Sequence, residues 1–218
     1  MNLIKYRINS LINIKFLLWN IVFFVLITLY QKGNVDFFAS DEFKFTNLLL
    51  SKFTLTYVVL PILTTITIVF YRDEFVHKVF IEFRKFLKLE VLLYVLFISI
   101  LVSIEMLLAS MLAMNFQVRF NMIFLVTACL LIVGNFTISL TALTLYIRFF
   151  NRAISLVLVN LMVLMDFVLM QGGNRNWLII DSKRLFNLSW SWIMYQLVLI
   201  IFLYLVVEWI ISKKEIMR

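Results

Sequence analysis

The chain has 218 residues, 64% of them hydrophobic and 17% aromatic, with 15% charged, four glycines and one proline. A water-soluble domain of that length must still cover its surface with polar groups, so the composition excludes one and points to a polytopic membrane protein. The formal charge of +8 does not require a nucleic-acid partner, because Lys and Arg flanking short loops are the ordinary signal of membrane topology.

Six apolar stretches are close to the length that crosses a hydrocarbon core, at residues 11–30, 54–71, 91–114, 122–147, 154–171 and 190–211. The first is preceded by MNLIKYRINS, with Lys5 and Arg7, and carries Lys15 near its start; no small-residue cleavage site follows, so a retained first helix with a short amphipathic lead-in is expected. The fold class is all-α, a single transmembrane domain over residues 1–218. An even number of spans puts both termini on one side of the membrane. Lys and Arg are about twice as numerous at the termini and in segments 72–90 and 148–153 as in the other connections, which makes that side cytoplasmic. The two longer outer segments, around Phe37 and Phe38 and around Trp177 and Phe186, are expected either as short helices in the headgroup layer or as plain loops. The first three spans show no similarity to the last three, which counts against an inverted-repeat transporter.

Few residues here carry chemistry. His77 is the sole histidine, so a metal site built on a histidine cluster is excluded. Cys129, the sole cysteine, falls in the middle of the fourth span and is expected there as a small core residue; a thiol peptidase pair with His77 would join a cytoplasmic group to a deeply placed one. None of Gly33, Gly134, Gly172 and Gly173 belongs to a phosphate-binding loop, so the chain is expected to hold no nucleotide and no cofactor of its own. Three acids lie within spans. Glu208 is near the inner end of the sixth, whereas Glu105 and then Asp166 are the candidates for a translocation pathway or for pairing between helices. Pro61 removes a backbone donor in the second span, leaves the Tyr57 carbonyl without its usual partner and predicts a kink, a candidate hinge.

The most highly charged segment is YRDEFVHKVFIEFRKFLKLE, residues 71–90. At helical spacing Phe75, Val76, Val79, Phe80, Phe83, Phe86 and Leu87 share one face, with Arg72, Asp73, His77, Lys78, Arg84, Lys85 and Lys88 over most of the other. Such an amphipathic helix fits the inner lipid interface. It is also the one sizeable cytoplasmic element between spans, stiff enough for a soluble partner to grip.

Six spans, both ends cytoplasmic, no nucleotide motif, RDEF after the second span and FRKFLKLE before the third together resemble an ABC-2 type transporter permease. The resemblance implies a coupling helix that docks on a separate ABC-type ATPase through Glu74, Phe75, Lys78, Phe80, Phe83, Arg84, Lys85 and Lys88. ATP and Mg would be bound by that partner. It further implies a second permease subunit, a bacterial cell membrane, and export of hydrophobic or amphipathic peptides such as bacteriocins, lantibiotics or phenol-soluble modulins, or self-protection against them. The competing readings are an autonomous ion-coupled carrier or channel that uses Glu105 and Asp166, and an immunity or sensor protein that transports nothing.

Overall fold

A computed structural model describes residues 14–34, 48–50, 55–71, 84–115, 122–171 and 190–216. Six principal helices account for most of them: α1 (Ile14–Asn34), α2 (Leu60–Val69, entered through a π-helical turn at Leu55–Val59), α3 (Arg84–Ala113), α4 (Met122–Phe149), α5 (Arg152–Gln171) and α6 (Trp190–Ile216). There is no strand among the described residues. The helices α1, α3, α4 and α5 each contain a stretch long and apolar enough to cross a membrane, so the chain is a helical membrane protein. The apolar segments Leu55–Val69 and Met194–Ile210 are shorter.

The helix α4 occupies the centre, packing on α2, α3, α5 and α6, while α1 lies outside and leans mainly on α3. This placement matches the distribution of polar residues. In α4, Thr127, Asn135, Thr137, Ser139, Thr141 and Thr144 are all buried, at positions that point in several directions around the helix. Lipid supplies no hydrogen bonds, so hydroxyls at this depth turn back on their own helix or reach a neighbour. Thr141 donates to the Thr137 carbonyl at 2.8 Å and Thr144 to the Leu140 carbonyl at 2.7 Å.

Other groups cross between helices. Asn135 Nδ2 donates to Ser103 Oγ on α3 at 2.9 Å, and Ser103 in turn donates to the Ser99 carbonyl at 2.6 Å. Thr137 donates to Gln196 Oε1 on α6 at 3.0 Å, Thr67 on α2 to Ser139 Oγ at 3.3 Å, and Ser110 on α3 to Gln31 Oε1 on α1 at 3.0 Å. The α3–α4 seam uses small residues, with Ser99, Ser103 and Gly134 all buried, which is how helices approach closely where lipid tails are as apolar as leucine.

Three expectations change. Cys129 is exposed on α4 rather than held in the core. The buried side of α4 runs through Thr127, Leu130, Leu131, Gly134 and Asn135, and Cys129 is two residues, about 200°, away from Leu131. Mid-span depth does not imply burial in protein, because the lipid-facing side is equally apolar. Pro61, expected to kink an α-helical span, instead lies where a π-helical turn, Leu55–Val59, passes into the α-helical segment Leu60–Val69. The irregularity is the π-helical turn before it, and both Thr64 and Thr65 donate to the carbonyl of Pro61 itself, at 3.0 and 2.7 Å. Finally, residues 84–90 are the first turns of α3 rather than the tail of a separate helix, and Tyr71 is a buried bend. Residues 72–83 of the amphipathic segment, the N-terminal lead-in and both longer outer segments lie outside the described residues, apart from their edges.

Two consequences can be measured by unfolding in detergent. A double-mutant cycle of Ser103→Ala with Asn135→Ala should show a coupling of about 0.6 kcal/mol, with ~1.7 as the upper end; zero coupling would mean that the two side chains do not meet. Cys129→Ala should leave stability within about 0.5 kcal/mol of the wild type, as expected of a site outside the packed interior.

Candidate functional site

The described residues concentrate specific contacts at the end of the bundle where α2 finishes and α3 and α5 begin. The last carbonyls of a helix have no amide of their own to accept from. Here Phe70 N–H donates to the Ile66 carbonyl at 3.2 Å, and the Tyr94 hydroxyl on α3 donates to the Thr67 carbonyl at 3.0 Å, with the Ile66 carbonyl 3.4 Å away. Arg152 Nη2, from α5, reaches the Tyr71 carbonyl at 3.5 Å.

Around these bonds the aromatic rings interlock. Tyr71, only 1% exposed, meets Tyr94 at 5.2 Å and Tyr146 of α4 at 6.1 Å, both edge to face. Tyr146 also meets Phe150 at 6.4 Å. On the other side, Phe70 packs edge-on against Phe16 of α1 at 5.2 Å, and Phe16 stacks on Phe97 of α3 at 6.5 Å. Such pairs contribute about 0.5–1.5 kcal/mol each beyond area burial. Five helices thus meet at the exit of α2.

Local chemistry places Arg152. Phe150 has a positive φ of 50° and donates its N–H to the Tyr146 carbonyl at 2.8 Å, ending α4 in a left-handed residue. A bulky residue there is strained; contact with the Tyr146 ring holds it. Asn151 then caps α5, its Oδ1 accepting from Ile154 N–H at 3.1 Å. The tight reversal leaves Arg152 on the first turn of α5, beside the end of α2.

Of the residues expected to couple to a motor, Arg84, Lys85 and Lys88 are on the opening turns of α3. Glu74, Phe75, Lys78, Phe80 and Phe83 lie outside the described residues. With 30 residues, α3 is about 45 Å long, well above a hydrocarbon core of about 30 Å. Its apolar stretch is Val91–Ala113, so the surplus falls at the charged Arg84 end.

Glu105 and Asp166 are on different helices, α3 and α5, both of which pack on α4, and α3 with α5 is not among the principal packed pairs. Asp166 is 4% exposed and interacts electrostatically with Tyr195 of α6. Glu105 is half-buried, and its Oε2 has no hydrogen-bond partner. Glu208 is half-buried on α6. No group of His, Cys, Asp and Glu among the described residues is arranged to hold a metal ion.

Sequence reasoning missed Tyr94, Tyr146 and Arg152. Tyrosines near span ends read as interfacial anchors, and nothing in their spacing along the chain shows that they converge on Tyr71. No family model, curated protein or solved structure matches this chain.

The two acids should respond differently to substitution. Glu105→Gln is expected to leave the thermal midpoint unchanged within about 2 °C, since Oε2 has no bond to lose. Asp166→Ala should lower stability by about 1–2 kcal/mol, a fall of several degrees. Thermal unfolding in detergent would check both, and the reverse order would make Glu105 the structural acid.

Proposed function

We propose that this chain is the membrane subunit of an ATP-driven exporter of the ABC-2 type. In this reading all six helices cross a bacterial cell membrane with both termini in the cytoplasm, and two such subunits work with a separate pair of ATPase subunits that bind ATP and Mg. The cargo is a hydrophobic or amphipathic peptide, moved along the interface between the membrane subunits.

One observation carries the reading. The helix α3 continues without a break from Arg84 through its apolar span to Ala113, so the basic sequence RKFLKLE is the end of a rigid rod rather than part of a loose connection. A motor that displaces Arg84, Lys85 and Lys88 moves the whole of α3. Residues 71–83 add the acidic Asp73 and Glu74 and the phenylalanines that a docking groove would take. The positive-inside count supports a cytoplasmic location for this end.

An ion-coupled carrier using Glu105 and Asp166 together would need the two acids on one path. The helices that carry them, α3 and α5, are not a principal packed pair, and Asp166 interacts instead with Tyr195 of α6, so the exporter is the better-supported function.

Whether an ABC-type ATPase is encoded beside this chain and purifies with it tests the proposal. Stable association is expected, and the triple reversal Arg84→Glu, Lys85→Glu and Lys88→Glu should reduce peptide export at least tenfold without lowering the amount of chain in the membrane. Absence of any associating ATPase, together with unchanged export in the triple variant, would overturn the assignment.

A further inference from the structure

A rod transmits force only if something holds it, and the contacts at the exit of α2 meet that requirement. Val91 and Tyr94, just after the charged turns of α3, are buried at 1% and 4% exposure. Residues 84–90 add about 10 Å of helix before them at 1.5 Å per residue. At this boundary the Tyr94 hydroxyl bonds to the end of α2, and its ring meets Tyr71.

At its other end α2 is built differently. The π-helical turn Leu55–Val59 and the proline at position 61 interrupt the regular i to i−4 pattern, and such turns are the usual place for a helix to change direction. Thr67, whose carbonyl accepts from Tyr94, also bonds through its hydroxyl to Ser139 Oγ on the central helix, at the longer distance of 3.3 Å. Thus α2 is joined to α3 and, by a longer bond, to α4 at Thr67 near its end, and has an irregular turn at its start.

We infer that Tyr94 is the positioning residue of a clamp that makes the end of α2 move with α3, so that displacement of the Arg84 end is passed to α2 and taken up at the Leu55–Val59 turn. The use of this clamp in transport rests on the exporter reading; its existence does not. Tyr146 and Arg152 complete it. The Tyr146 ring provides a bearing surface on α4 against which Tyr71 sits, and the Arg152 guanidinium holds the Tyr71 carbonyl at the point where the chain leaves α2. Deleting the Tyr94 hydroxyl while keeping its ring separates the bond from the packing.

Tyr94→Phe is the test, read by amide hydrogen exchange of the purified chain in lipid nanodiscs and by peptide export per ATP hydrolysed with the associated ATPase. Tyr204→Phe, on α6, is the control. Exchange across residues 66–71 should quicken by about fivefold, the effect of losing one net hydrogen bond, with the rest of the bundle unchanged. Export per ATP should fall by at least half, while ATPase association and the rate of ATP hydrolysis remain at wild-type levels. Unchanged exchange at residues 66–71 would overturn the clamp. Faster exchange with undiminished export per ATP would show that Tyr94 only caps α2 and would overturn its role in transmission. If the wild-type chain recruits no ATPase, the exporter reading falls, and the exchange measurement alone decides the clamp.

Discussion

Satisfying hydrogen bonds without water is the constraint on which this bundle depends. A helix at membrane depth closes its own backbone bonds, but each serine, threonine, asparagine or glutamine adds groups that lipid cannot accept. The helix α4 carries six buried residues of this kind, and it can do so because four helices surround it. Some of its side chains return to their own helix, Thr137 among them; Asn135, Thr137 and Ser139 also join it to α3, α6 and α2. These bonds give orientation to an assembly whose apolar packing would otherwise allow helices to slide or rotate, since lipid-facing and protein-facing apolar surface are energetically similar.

The same shortage of partners explains the exit of α2. A helix end buried among other helices leaves carbonyls that need donors, and those of α2 find them on Phe70 and Tyr94, while the Tyr71 carbonyl finds Arg152. Capping by a tyrosine brings a large rigid ring to the helix end, where Tyr71, Tyr146 and Phe150 can pack with little conformational entropy to lose. A local need for hydrogen bonds has therefore produced a junction of several helices. It lies near the charged end of α3, the end at which the proposed exporter would be driven.

Much of the fold was legible in the chain itself. All six apolar stretches coincide with helices: the fourth, expected over 122–147, is Met122–Phe149, and the fifth, expected over 154–171, is Arg152–Gln171. Apolar length is a strong signal because the hydrocarbon thickness is fixed. The central place of α4 also has a trace in its run of Ser, Thr and Asn. Cys129 is exposed because depth along a span is not depth within the protein. Pro61 signals an irregular second span, but not its form, because π-helical turns have no sequence pattern comparable to the 3.6-residue period.

The candidate site was legible only in part. Arg84, Lys85 and Lys88 stand out by charge, and the sequence alone determined that this chain is helical, membrane-embedded and basic at one set of connections, because composition and run length decide partition between water and lipid. Tertiary structure alone decided that those residues start a helix continuous with the third apolar stretch, that the helices carrying Glu105 and Asp166 both pack on α4, and that Tyr71, Tyr94, Tyr146 and Arg152 meet. The physical reason is that lipid-facing and helix-facing positions share one apolar chemistry. A side chain's partner is then fixed by how helices turn and pack against one another, and a list of residues along one chain does not contain that rotation.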